Sequence, residues 1–141
     1  MSEKISATGT CLCGAVTLKV SALSTHIGAC HCSMCRTWSG GPLFSANCGK
    51  EVTIDGEDSL GVFNSSAWAE RGFCKVCGSN LFYRIKASGQ YLANPEIFGK
   101  QDFQFTHQVF IDEKPTYYEF SNATKNMTGA EVFAIFAPKD K

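Results

Sequence analysis

A chain of 141 residues has the length of one domain with a single core. Its hydrophobic fraction of 44%, with 11 Phe, 4 Tyr and 2 Trp, excludes a disordered chain. Thirteen Lys plus Arg balance thirteen Asp plus Glu, and the only arginines are Arg36, Arg71 and Arg84, so there is no basic face for a phosphate backbone and nucleic acid is not expected as a partner.

In chain order, the first residues carry Glu3, Lys4 and Lys19 and hold no apolar run of the signal-peptide kind. Val16, Leu18 and Val20 alternate with Thr17 and Lys19, which predicts a half-buried strand. Ser33 to Trp38 fits one helical turn, and Val52 and Ile54, alternating with Glu51, Thr53 and Asp55, predict a second strand. Leu81 to Ile85, Phe103 to Ile111 and Tyr117 to Phe120 are rich in aromatic and β-branched residues and predict further strands. Turn pairs such as Asp55-Gly56, Ser88-Gly89 and Asn94-Pro95 separate these runs. Gly129 to Phe136 fits either a short helix or a last strand. The longest strongly apolar run, Val132 to Ala137, is far short of the roughly 20 residues of a membrane span. The expectation is an all-β protein of short antiparallel strands with little helix, one domain over residues 1–141, cytoplasmic and without membrane contact.

All eight Cys fall between Cys11 and Cys77. In a reducing compartment, clustered cysteines point to metal or catalysis rather than disulfides. Cys74, Cys77 and Gly78 in CKVCG form a CxxC turn whose glycine can take positive φ, and the pair Cys11 and Cys13 in CLCG can complete a tetrahedral zinc site of four thiolates. Cys30, Cys32 and Cys35 in CHCSMC supply three more thiolates, which leaves a fourth position for water or substrate, as in catalytic zinc sites. Cys48 as a fourth ligand would instead close that site and make both zincs structural; spacing leaves both arrangements open. Thiolates leave either site net negative, and Arg36, Arg71 and Lys75 are the cations placed to offset this.

Taken together, CLCGAV, ACHCSMCRTWSGG, NSSAWAERGFCKVCGSNLFYR and HQVFIDEKP resemble the glutathione-dependent formaldehyde-activating enzyme and centromere protein V family, over roughly Gly9 to Tyr118. The resemblance implies an all-β, zinc-containing β-tent fold. It also implies a structural zinc on Cys11, Cys13, Cys74 and Cys77 and a catalytic zinc on Cys30, Cys32 and Cys35. The implied reaction condenses glutathione with formaldehyde to S-hydroxymethylglutathione, a carbon–sulfur lyase running in reverse. Cys48 lies outside the family's ligand set, and the segment TYYEFSNATKNMTG departs from its usual Trp and acidic stretch.

In that reaction the substrate thiol is held as thiolate and attacks the aldehyde carbon, and the alkoxide that develops needs a cation or hydrogen-bond donor. Arg36, Arg71 and His31 are the candidates, in that order, although His31 stands between two ligands and is expected to point away from the metal. His26 and His107 read as packing or surface residues. Trp38, Trp68 and Phe44 are read as pocket walls or core. The partners are then a small thiol such as glutathione and a small aldehyde. The competing reading is a non-catalytic zinc module that binds a protein through its sheet face, which closure of the second site by Cys48 would favour.

Overall fold

The structure is a computed structural model and describes residues 3–136. The strands are β1 (Lys4–Thr10), β2 (Thr17–Ser24), β3 (His26–Cys30), β4 (Leu43–Gly49), β5 (Val52–Asp55), β6 (Leu60–Phe63), β7 (Ala69–Cys74), β8 (Asn80–Ile85), β9 (Tyr91–Ala93), β10 (Gln104–Val109) and β11 (Lys125–Met127). Two short helices, α1 (Ser33–Ser39) and α2 (Gly129–Phe136), complete the regular structure. No helix among the described residues is long and apolar enough to cross a membrane.

The strands form a three-stranded sheet in the order β1-β2-β5 and an eight-stranded sheet in the order β11-β10-β3-β4-β9-β8-β7-β6. The alternation along β2 does what it predicts: Leu18 and Val20 point inward, Lys19 and Ser21 outward. With Val16 and Leu23 they meet Ala46 and Cys48 of β4, Leu81 and Phe82 of β8, Ala93 and Phe98 in one buried cluster between the sheets.

Two expectations are corrected, and one alternative is decided. The strands are not all antiparallel, because β10 runs parallel to β3 on one side and to β11 on the other. Parallel neighbours need a crossover connection, and long connections precede both β10 and β11. Tyr117 to Phe120 is not a strand. Its aromatic rings are spent on packing: Tyr118 stacks on His31, and Phe120 meets Phe44 and Phe105 edge-on. Gly129–Phe136 resolves as a helix, because Thr128 and Glu131 form a capping box in which Thr128 Oγ1 accepts from the Glu131 N–H and Glu131 Oε1 from the Thr128 N–H. Ala137, the end of the apolar run, lies outside the described residues.

Close approach explains one glycine in the middle of the sheet. A Cβ on Gly28 of β3 would lie 2.1 Å from Nε2 of His107 on the neighbouring β10, so the histidine ring occupies the space over the glycine. His107 is thereby a packing residue, with its Nδ1 against Thr106 Oγ1 at 2.9 Å. Gly28→Ala is expected to lower the unfolding free energy by about 1–3 kcal/mol through overpacking, and His107→Ala in the same chain should recover most of that loss; urea denaturation midpoints of the two variants check it.

Candidate metal centres and cleft

Two tight turns build the first centre. The turn after β1 carries Cys11 and Cys13, closed by the Cys11 N–H to Val16 O bond at 3.0 Å and turned through Gly14 at φ 87. The turn between β7 and β8 carries Cys74 and Cys77, closed by the Gly78 N–H to Cys74 O bond at 2.8 Å, with Gly78 at φ 80. Positive φ is what glycine supplies cheaply, and both glycines directly follow a cysteine. The turns are tied together by the Leu12 N–H, which donates to Ser79 Oγ at 3.0 Å. As a result the four sulfurs lie within 4.8 Å of one another, with Cys11 to Cys13 and Cys13 to Cys74 each at 3.7 Å. Four thiolates bound at about 2.3 Å around a tetrahedral zinc would stand about 3.8 Å apart, so the spacing fits that ion. Backbone N–H groups already point at the sulfurs, from Val16 to Cys11 at 3.3 Å and from Cys77 to Cys74 at 3.4 Å. Lys75 is exposed on the turn and makes no side-chain contact to these thiols among the described residues.

The second group sits where β3 ends and α1 begins. Cys30, Cys32 and Cys35 bring their sulfurs within 4.8 Å of one another. Cys32 is also the cap of α1, accepting from the Cys35 N–H at 3.4 Å. Hydrogen bonds from Cys30 and then Cys35 hold the Cys32 thiol down to about 2, and the same sharing with Cys32 pushes Cys30 far above the ordinary thiol range.

Arg71 is the counter-charge. It is only 3% exposed, yet both of its Nη atoms approach Cys35 Sγ, at 3.6 and 3.5 Å, and no carboxylate pairs with it among the described residues. A buried guanidinium needs partners for its N–H groups, and here the recorded partner is sulfur. Its guanidinium carbon also lies over two aromatic rings, 4.9 Å from the Tyr83 centroid and 5.8 Å from that of Trp38.

Arg36 and His31 are used differently. Arg36 Nε donates to the His31 carbonyl at 2.8 Å, which braces the cysteine loop from α1. The His31 ring is wholly buried with both nitrogens engaged. Nε2–H donates to Gln108 Oε1 at 2.7 Å, so Nδ1 is the acceptor of the hydrogen bond that the Tyr118 hydroxyl donates at 2.8 Å. Gln108 then donates to Thr124 Oγ1 at 2.8 Å, and Thr124 to Asn126 Oδ1 at 2.7 Å. Burial pushes the His31 pKa down, so the ring stays neutral, and it has no nitrogen left to offer a substrate.

Cys48 does not join either group. Cys30 pairs with Leu43 across β3 and β4, and Cys48 lies five positions further along β4, roughly 16 Å away at about 3.3 Å per residue. It is fully buried in the core, where burial pushes its thiol up to about 12. The arrangement in which Cys48 closes the second centre is thus excluded by strand geometry.

Beside the second group lies a cleft of about 370 Å³ lined by Ser33, Met34, Thr37, Trp38, Phe63 and Arg71, among others. Ser33 and Met34 are the two residues between Cys32 and Cys35, and Trp38 stacks on Phe63 at 6.1 Å. Of the three aromatic residues expected at a pocket, only Trp38 is there. Phe44 packs on Phe105 and Phe120, and Trp68 on Phe133 of α2. Reading the sequence missed Tyr83 and Gln108. Counting outward from the Cys74–Cys77 turn would set Asn80 opposite Arg71; the register of the pair, with a shift between Gly72 and Phe73, puts Tyr83 there instead, and no sequence signal announces it.

The family model of the glutathione-dependent formaldehyde-activating enzyme matches residues 6–112. An uncharacterized lyase of Schizosaccharomyces pombe is 36% identical over 126 residues, 88% of this chain and 92% of that protein. A crystal structure of a Rhodobacter sphaeroides protein superimposes with a TM-score of 0.58 at 25% identity, covering 67% of this chain and 89% of that one. The chain belongs to the glutathione-dependent formaldehyde-activating enzyme family.

Gln108→Leu would leave the buried His31 Nε2–H without an acceptor. We expect it to lower the unfolding free energy by about 1–3 kcal/mol, read by urea denaturation.

Proposed function

We propose that the protein is a zinc-dependent carbon–sulfur lyase that joins a small, glutathione-like thiol to formaldehyde as an S-hydroxymethyl adduct. Its family and the printed name of its yeast relative, a lyase, support the class of reaction. The observation that carries the reading is the three-thiol group with a buried arginine on one sulfur and no fourth Cys, His, Asp or Glu ligand beside it among the described residues.

In this reading Cys11, Cys13, Cys74 and Cys77 hold a structural zinc that fastens the turn after β1 to the β7–β8 hairpin. Cys30, Cys32 and Cys35 hold a second zinc with one position left to the substrate. Bound there, zinc lowers the pKa of an incoming thiol so that it is present as the nucleophilic thiolate. The protein's own side chains do the rest. Arg71 offsets the negative charge of the cysteines from a place that also lines the cleft, and its buried guanidinium needs no reorganisation when charge develops. Arg36 and the chain from Tyr118 through His31 to Gln108 are positioning residues, holding the cysteine loop from its backbone and from its back face. Trp38 and Phe63 form an apolar wall that limits water beside the reacting atoms.

The two centres separate in their expected responses. Cys74→Ser should lose about half the bound zinc and lower Tm by at least ~10 °C, because a structural zinc contributes energy comparable with the net stability of a domain. Cys32→Ser should lose the other half, keep most of Tm and bring adduct formation down to the uncatalysed rate. Zinc content by mass spectrometry, Tm, and the rate of glutathione–formaldehyde exchange by NMR check both; full adduct formation by Cys32→Ser would overturn the proposal.

A further inference from the structure

The reaction needs a hydrogen-bond donor where the aldehyde oxygen becomes negative, and each of the three candidates expected from sequence already donates at least one hydrogen bond within the protein. His31 has both ring nitrogens in side-chain hydrogen bonds, and Arg36 points its Nε at a backbone carbonyl. Arg71 already gives both Nη atoms to Cys35. Tyr83 is different. On adjacent strands β7 and β8 it pairs directly with Arg71, and the guanidinium lies 4.9 Å from the centre of its ring. Arg71 and Cys35 thus form a bridge from the ring of Tyr83 to the three-thiol group. Burial pushes the phenol up to about 12, with Arg71 acting against the shift and Cys35, Cys30 and Cys32 adding to it, so the hydroxyl keeps its proton. Its hydroxyl makes no hydrogen bond among the described residues, and no fully buried polar side-chain atom there lacks a partner, so the oxygen of this half-buried side chain is not completely buried. A phenol with this exposure is a free donor, and an ordinary tyrosine keeps its proton to about pH 10.

We propose that the Tyr83 hydroxyl donates the hydrogen bond that receives the aldehyde oxygen at the Cys30, Cys32 and Cys35 centre, which makes it a catalytic residue; this rests on the lyase reading above. The thiolate sulfur forms the new carbon–sulfur bond, and the carbonyl π pair passes to oxygen. That oxygen is stabilised by the Tyr83 O–H and takes from solvent one proton, equal to the one the thiol released. Arg71 holds the ring in place from above, and removing the hydroxyl alone leaves that stack intact.

The test compares wild type with Tyr83→Phe in the zinc-loaded protein by two readouts. Steady-state kinetics with glutathione and formaldehyde should show kcat lower by about 10²-fold, with zinc content and Tm unchanged. Calorimetric binding of S-(2-hydroxyethyl)glutathione and S-ethylglutathione, which differ by one hydroxyl, should show a preference for the first in wild type that disappears in Tyr83→Phe. A kcat kept within about twofold, or a preference that survives the substitution, overturns the assignment of Tyr83. A wild type that turns over no adduct but shows the preference, lost in Tyr83→Phe, supports the Tyr83 contact and overturns the formaldehyde reaction. A wild type that binds neither thioether overturns both.

Discussion

Thiolates repel one another, and several of them can share a few ångströms only where positive charge offsets the repulsion. Nearly every local feature of the site answers that requirement. In the second centre the offset provided by the chain is Arg71, a guanidinium buried to 3% exposure against Cys35 without a carboxylate partner among the described residues. At the first centre the chain offers backbone N–H groups of Val16 and Cys77 aimed at sulfur, and sulfur spacings of 3.7 Å that suit a tetrahedral ion. Either cysteine group could hold a metal ion, which would supply the charge that remains to be offset and would couple its binding to folding.

The sheets are arranged to carry these turns. The eight-stranded sheet brings the end of β3 and the β7–β8 hairpin close enough for Arg71 to reach Cys35, although the two lie in different parts of the chain. Parallel entry of β10 beside β3 puts Gln108 under His31, and the irregular segment that follows delivers Tyr118 from the other side. The cysteine loop is therefore gripped from the rear by neutral hydrogen bonds and from the front by a cation. Under the proposed lyase reading, such a loop would keep its geometry as substrate charge changes, which is the preorganisation an electrostatic catalyst needs.

Much of this could be read from residues alone, for reasons that differ by element. Local chemistry was legible: a CxxC turn needs glycine after it, and Gly78 has the positive φ that Cys77-Gly78 foretold. Strands with one face buried and one wet, such as β2 and β5, betrayed themselves by alternation. β4 and β7 escaped notice because small residues such as Ala46 and Gly72 break the pattern; over Gly72 the ring of Phe82 on the neighbouring β8 fills the space. Tyr117 to Phe120 misled in the opposite direction, since aromatic content marks burial as readily as it marks strand.

What the sequence by itself determined was the chemistry of the ligand groups. Within CLCG, CHCSMC and CKVCG the thiols sit close together along the chain, so each short span already sets which of its own sulfurs can converge, while the fold joins CLCG to CKVCG. Only the tertiary structure decided what surrounds them. Strand register removed Cys48 from the second centre and placed Tyr83 across from Arg71, and the crossover into β10 turned His31 from a candidate donor into a buried brace. The physical reason is range: a turn is governed by neighbouring φ and ψ angles, whereas register and crossovers follow from how the whole chain buries its apolar faces.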